Sequence, residues 1–265
     1  MGYVVEPDHP QMHFFDADWK AQMDAVVARA VAQGALPAAP VFTRLQGRDD
    51  AARRVLLRSL GEFDAAELLW DRQTGLVSRL DTHFPEEAQV LSAVTPMAFT
   101  ASDGRRIHGY LTRPRGVSGP VPLVVDIHGG PWARDTWAPA IFNGRQMLAN
   151  RGYAVLQLNY RGSAGYGREH MWAGALEYNG RLQQDIAEGV QWAIDQGVAD
   201  PKRLAVMGDA TLAELTAVAE TTIYDRLSLI DGIAEVTIRG DRADIFRVSL
   251  DMPSLLSRGL TMFDV

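Results

Sequence analysis

The sequence predicts an α/β fold in which a doubly wound parallel sheet follows a β-rich region and precedes a small α+β segment. The first observation is a set of three short apolar runs, 121–127, 153–159 and 203–207. Strands that are buried on both faces of a parallel sheet read as continuous hydrophobic runs. The second observation is an amphipathic helix pattern over 181–196, between the last two runs. Strands that alternate with helices across short connections are typical of a parallel sheet.

The composition excludes several function classes. The 265 residues are 47% hydrophobic and 22% charged, which are ordinary values for a globular protein. A net charge of −7 argues against a nucleic-acid partner, which requires a basic surface. The absence of cysteine excludes disulfides, thiolate catalysis and cysteine-based metal sites. We therefore predict no cofactor and no metal site.

The sequence contains no pattern typical of membrane insertion or secretion. No apolar run approaches the roughly 20 residues that a transmembrane helix needs. The first residues lack both the basic stretch and the apolar stretch of a signal peptide. We therefore expect a cytoplasmic protein with no membrane span.

Residues 1–95 contain short strand patterns and one helix pattern. The helical spacing runs from Trp19 to Val31, with Asp16 or Asp18 as the N-cap and Gly34 as the terminator. The predicted strands are 12–15, 41–45, 55–59 and 68–71. These elements amount to roughly one or two blades of a β-propeller, too few to close a ring of four or more blades. We interpret this region as a β-propeller remnant.

Residues 96–208 carry the elements of the predicted parallel sheet. Strands over 97–101 and 107–113 flank a turn at Ser102-Asp-Gly104, and the three apolar runs follow as strands. A helix is predicted over 137–150, because Pro139 suits a first turn and Gly152 lies just past the end. The helix over 181–196 ends at Gly197.

The first apolar run leads into His128-Gly-Gly-Pro-Trp132. Two glycines directly after a buried strand allow a sharp turn and bring backbone N–H groups close to a ligand. Ligands bind at the carboxyl ends of the strands in α/β sheets. We therefore predict that His128, Gly129, Gly130 and Trp132 belong to an oxyanion-binding or substrate-binding loop.

Three motifs in order give a specific resemblance. His128-Gly-Gly-Pro-Trp132 is followed by Asn159-Tyr-Arg-Gly-Ser163 with Gly165-Tyr-Gly167, and then by Asp200-Pro-Lys-Arg-Leu-Ala-Val-Met-Gly208. Residues 1–208 in this way resemble the prolyl oligopeptidase family of serine peptidases. The resemblance implies a β-propeller followed by an α/β-hydrolase domain, of which 96–208 would be the N-terminal half. It also implies a peptide or small ester substrate, and a loop on the substrate side formed by Tyr160, Arg161 and Ser163.

The position of the nucleophile is occupied by alanine. Where the family has a Gly-x-Ser-x-Gly elbow, this sequence reads Gly208-Asp-Ala-Thr-Leu212, so that Ala210 replaces the serine. Thr211-Leu-Ala-Glu214 fits a capping box at the start of an ordinary helix better than an elbow. The last histidine is His170, although the family's order of Ser, Asp and His requires one after the elbow. We predict that the chain is catalytically inactive as written.

Residues 209–265 give a second resemblance. Their helix–strand–strand–helix pattern, with Leu227-Ser-Leu-Ile-Asp-Gly-Ile-Ala-Glu-Val236 and Gly259-Leu-Thr-Met-Phe-Asp-Val265, is similar to part of the porter domain of resistance-nodulation-division efflux pumps. Three hypotheses follow: a peptidase by lineage that is inactive, a binding module that self-associates through an exposed sheet edge, and a chimeric or truncated reading frame without selected function.

Overall fold

The computed structural model describes residues 2–6, 8–80, 90–130, 132–140, 143–177 and 180–208. The strands within these ranges are β1 (Gly2–Val5), β2 (Gln11–Phe14), β3 (Phe42–Arg48), β4 (Arg54–Leu60), β5 (Ala65–Asp71), β6 (Val77–Arg79), β7 (Val94–Thr100), β8 (Arg106–Thr112), β9 (Val121–Ile127), β10 (Ala154–Asn159) and β11 (Ala199–Gly208). The helices are α1 (Ala17–Ala32), α2 (Gln146–Ala149), α3 (Arg168–Trp172) and α4 (Arg181–Asp195). Of these helices, none combines the length and the hydropathy that crossing a membrane requires.

Five strands form a sheet in the order β11-β9-β10-β8-β7, which we call the central sheet. β9 pairs in parallel with both β10 and β11, whereas β8 pairs antiparallel with β10 and with β7. The sheet is therefore mixed, and the prediction of a parallel sheet holds only for its three later strands. The reason is the short turn between β7 and β8, since a parallel pair requires a crossover of a dozen or more residues.

The core of this sheet lies on the side that α4 covers. Leu123, Val125 and Ile127 alternate on one face of β9 and are packed with a buried stripe of α4. That stripe consists of Leu182, Ile186, Val190 and Ala193. Gly189 allows α4 to approach closely, because a Cβ at this position would lie 2.4 Å from Leu158 Cδ1.

Helix α2 lies against the opposite face. Arg145, the residue before α2, binds Asp126, which alternates with Val125 along β9 and therefore points to the other side of the sheet. The helices α2 and α4 thus cover different faces.

An antiparallel sheet in the order β3-β4-β5-β6 precedes the central sheet in the chain. Helix α1 packs on it through Met23, Val26 and Ala30, which meet Val55 and Leu57 of β4 in a separate hydrophobic core. The helix begins where the sequence predicts, since Asp16 accepts a hydrogen bond from Asp18 N, and Gly34 follows it with a φ of +73°.

Glu62 connects the two sheets. Its carboxylate accepts a hydrogen bond from Val94 N at 2.7 Å, and its carbonyl accepts one from Ala140 N at 2.8 Å. Trp137 packs beside these bonds in a small core with Val94 and Tyr110.

The predicted helix over 137–150 is wrong for most of its length, because α2 spans only Gln146–Ala149. Within the predicted range, Ala140 N donates to Glu62 O, which lies outside the segment. This tertiary hydrogen bond uses the Ala140 donor, and the first described bonds before α2 are local turns such as Asn143 N to Ala140 O. The elbow sequence with Ala210, the capping box and the whole porter-like segment 209–265 lie outside the described residues.

Candidate active site

Two loops leave the sheet side by side. β9 and β10 are parallel neighbours, with Asp126 paired to Gln157. The loop that starts at His128 after β9 and the loop that starts at Tyr160 after β10 therefore emerge at the same edge, where α/β proteins bind ligands.

A closed set of hydrogen bonds joins these loops. His128 Nε2 lies 2.9 Å from Ser163 Oγ, and the Ser163 hydroxyl donates to the Tyr160 carbonyl at 2.7 Å. The Tyr160 hydroxyl donates to the His128 carbonyl at 2.5 Å, while the two rings stack with centroids 4.5 Å apart. Nδ1 of His128 lies 3.0 Å from Gly129 O. We call this set, formed by His128, Tyr160 and Ser163, the loop latch.

Ser163 holds the loops together and is not placed to attack a substrate. The residue has no solvent exposure, and its hydroxyl is engaged by both His128 and Tyr160. A hydroxyl–imidazole pair at this distance is the arrangement of an activated nucleophile, but a nucleophile must also reach the carbonyl carbon.

Gly130 is required by the backbone of the first loop. Its φ is +137°, and a Cβ would lie 2.8 Å from Ala133 N. This conformation lets the chain turn back after the strand. The carbonyl of Ala133 then accepts a hydrogen bond from Ala164 N at 3.1 Å, which ties the two loops a second time.

Trp132 lies outside the latch. Its side chain is 62% exposed, whereas His128 is 9% exposed. The structure therefore brings His128, Tyr160 and Ser163 together and leaves Trp132 at the surface beside them.

The Arg161 side chain points into the protein. Its guanidinium donates to both carboxylate oxygens of the fully buried Asp185 on α4, at 2.7 and 2.6 Å, and to Asp103 at 2.8 Å. The hydrogen bond that Arg161 donates to Asp185 is the main cause that raises the pKa of Arg161. The hydrogen bond from Arg161 in turn lowers the pKa of Asp103 to about 2. Arg161 thus anchors the second loop to α4.

The structure gives a role to polar groups for which the sequence predicted none. Asn159 ends β10, where its amide accepts from Asp135 N and donates to Asp135 O and to the Tyr166 hydroxyl. Burial raises the pKa of Asp135, and Arg145 approaches its carboxylate at 3.6 Å. A polar residue at the end of a continuous apolar strand was the available signal for Asn159, since a buried amide needs hydrogen-bond partners.

The end of β11 lies next to the first loop. Gly208 pairs with Ile127, the residue before His128, and a Cβ on Gly208 would lie 2.1 Å from Ile127 O. Only glycine fits this approach. The described chain stops here, two residues before Ala210 in the sequence.

Comparison with known proteins identifies relatives among peptidases. Residues 121–227 match the model of the Prolyl oligopeptidase family. Dipeptidyl aminopeptidase BIII of Pseudoxanthomonas mexicana is 35% identical over 213 residues, which cover 75% of this chain and 30% of that protein. Dipeptidyl peptidase family member 6 of Caenorhabditis elegans is 39% identical over 107 residues, which cover 38% of this chain and 14% of that protein. The chain therefore spans less than a third of the length of these relatives.

A solved structure is also similar. The Mycobacterium tuberculosis puromycin-hydrolyzing peptidase has a TM-score of 0.51 and 28% sequence identity, and the likeness covers 64% of this chain and 27% of that one. The family match runs to residue 227, past the boundary at residue 208 where the second resemblance was placed. Together, these similarities support membership of this chain in the prolyl oligopeptidase family of serine peptidases.

Proposed function

We propose that this chain forms the oxyanion side of a serine peptidase site and binds peptide backbone there without cleaving it. The observation that carries the proposal is the loop latch, which fixes a glycine turn at the carboxyl end of β9, directly beside the end of β11. In a serine peptidase, backbone N–H groups near the nucleophile stabilise the negative charge that develops on the carbonyl oxygen.

We expect no cleavage because alanine occupies position 210, where the family has its nucleophile. Alanine has no atom that can attack a carbonyl, and loss of the nucleophile alone costs on the order of a millionfold in turnover. Binding energy from the oxyanion side is separate from that chemistry and remains. The proposed ligand is therefore a short peptide or a small ester.

The finer architecture is part of the same proposal. Residues 96–208 correspond to the first half of an α/β-hydrolase domain, and residues 1–95 to a propeller remnant. The four antiparallel strands β3 to β6 support the second assignment, since a propeller blade is a four-stranded sheet.

The proposal is tested by measuring binding and cleavage on the same protein. An acetylated, C-terminally amidated tetra-alanine peptide is titrated calorimetrically into the chain, its Gly130→Ala variant and its Gly144→Ala variant. Gly130→Ala strains the loop, whereas a Cβ on Gly144 meets nothing within 4 Å. We expect at least about tenfold weaker binding for Gly130→Ala, the equivalent of one lost hydrogen bond to the ligand, and no change for Gly144→Ala.

Cleavage is followed with dipeptidyl and acylaminoacyl nitroanilides and with a fluorophosphonate probe. We expect no turnover and no labelled serine. Stoichiometric labelling of Ser163 or another serine would contradict the inactivity. Equal binding by the Gly130→Ala variant, or no binding at millimolar peptide, would contradict the assigned site.

A further inference from the structure

A polar cavity of about 400 Å³ lies at the start of β8. We call it the β8 cavity. Among the side chains that line it are Arg105, Arg106, His108, Tyr166, Glu169 and His170. One wall is aromatic, because Tyr166 stacks on His108 with centroids 4.4 Å apart and Arg134 covers the Tyr166 ring at 4.4 Å.

The β8 cavity lies at the same end of the sheet as the loop latch. His108 pairs with Asn159 at the end of β10, and β10 lies next to β9, which leads to His128. Neighbouring strands are about 4.8 Å apart, so the start of β8 is roughly 10 Å from the oxyanion loop. An extended peptide advances about 3.3 Å per residue. A peptide bound at the loop therefore reaches the β8 cavity two or three residues away.

The cavity contains two buried nitrogen atoms that other described groups leave unpaired. Arg105 Nε and His108 Nδ1 are buried, and neither has a hydrogen-bond partner among the described residues. Asp8 approaches His108 Nδ1 only to 4.0 Å. A buried donor is normally satisfied, so the Nε–H of Arg105 indicates a missing acceptor.

The acidic groups nearby do not fill this need. The Asp103 carboxylate is held by Arg161 at 2.8 Å. Glu169 is the other acid at the cavity, but its side chain is 92% exposed and stands 3.6 Å from Arg105. A weak, exposed pair of this type contributes little and is easily displaced. Arg106 adds a further exposed positive charge.

We propose that the β8 cavity is a carboxylate subsite, in which Arg105 binds an acidic group located two or three residues from the peptide bond held at the oxyanion loop. The inference rests on the proposed function. The carboxylate is either the C-terminus of a short peptide or an acidic side chain, and both present the same planar acceptor to the guanidinium. Glu169 moves away when the ligand binds.

The test compares peptides that differ only in this carboxylate. The acetylated tetra-alanine amide, the corresponding free acid, and an amide with glutamate as its third residue are titrated into the chain. Each is also titrated into Arg105→Gln and into Arg48→Gln, a control at an exposed arginine on β3. We expect one of the two acidic peptides to bind about tenfold more tightly than the neutral amide. Arg105→Gln removes that difference and Arg48→Gln keeps it.

The peptide that gains affinity identifies the source of the carboxylate. Glu169→Gln provides a check of opposite sign, because removal of the competing charge is expected to tighten binding of the acidic peptide a few-fold. Equal affinity for all three peptides, or no effect of Arg105→Gln, would overturn the carboxylate subsite while the neutral amide still reports the proposed function. Failure of every peptide to bind overturns both.

Discussion

At the scale of single residues, the side chains of the site form hydrogen bonds and ion pairs with one another. Arg161 follows the buried strand β10 and carries a full charge, yet its guanidinium lies against Asp185 and Asp103. Removal of one partner from a buried ion pair leaves an uncompensated charge, which costs more than the intact pair contributes. The position of the second loop therefore depends on Asp185.

We expect Asp185→Asn to lower the free energy of unfolding by about 3–5 kcal/mol, because Asp185 is fully buried and Arg161 would lose its principal acceptor. The matched control is Asp24→Asn, which breaks the exposed Lys20–Asp24 pair and should cost about 0–1 kcal/mol. Urea denaturation of both variants measures the difference. Similar losses for the two would contradict the role of the buried pair.

A second prediction at this scale concerns pH. Arg161 lowers the pKa of Asp103 to about 2 in the folded state, whereas an unfolded aspartate titrates near ~3.9. The lowered pKa adds stability that is complete above the unfolded value and declines as the pH falls toward 2. The stability difference between the wild type and Asp103→Asn should therefore shrink between about pH 5 and pH 3, measured by urea titration. A difference that stays constant over this range would contradict the role of Arg161.

Sequence reasoning reached part of the site at this scale. Both loops were predicted because each follows a buried strand, which is a local signal. The bond between His128 and Ser163 joins residues 35 positions apart and depends on β9 and β10 being neighbours. The burial of Arg161 depends on Asp185 in the same way. From the sequence alone, a charged residue in a loop is expected to be exposed, because its distant partner is not known.

At the scale of elements, close backbone approaches determine where glycine is needed. Gly109 in the middle of β8 is one such position, because a Cβ would lie 2.2 Å from Gln157 O on β10. We expect Gly109→Ala to lower the free energy of unfolding by about 1–3 kcal/mol or more, since the two strands must separate. Gly47→Ala on β3, where a Cβ meets nothing within 4 Å, is the control and should be close to neutral. Thermal unfolding of the two variants checks this, and equal midpoints would show that the strands adjust without cost.

The elements themselves were predictable where the pattern is local. β9, β10 and α4 lie within a residue or two of their predicted ranges, because their apolar periodicity reflects burial directly. The predicted helix over 137–150 was wrong for most of its length, and the hydrogen bond from Ala140 N to Glu62, distant in the sequence, holds part of its backbone in another conformation. Helix α3 was missed, since five residues are too few to show a period.

At the scale of the whole molecule, Glu62 joins the antiparallel sheet to the central one. We expect Glu62→Ala to weaken this connection by about 1 kcal/mol or more, because Val94 N loses its acceptor. Unfolding should then become less cooperative. Differential scanning calorimetry should resolve one transition for the core that contains Trp70 and another for the core beside Trp192. Glu67→Gln, at an ion pair with Arg58 within the first sheet, should keep one transition. A single transition in both variants would contradict the coupling role.

The α/β class followed from the sequence, but the arrangement of the sheet did not. The apolar runs predict buried strands without stating which strands are neighbours, and β8 lies beside β10 although β9 follows it in the chain. Self-association through an open edge stays a prediction. Within the described residues β11 is at one edge of the sheet, with residues 209–265 still to follow.

The loop latch also bears on how this site could be engineered. The hydrogen bonds that close it join His128, Tyr160 and Ser163, which lie directly after β9 and β10. β9 and β10 carry the three residues together, and α4 fixes the second loop through the bonds between Arg161 and Asp185. Transplanted with β9, β10 and α4 into a scaffold with its own nucleophile, the two loops should keep their shape, whereas any one of the three residues moved alone would not.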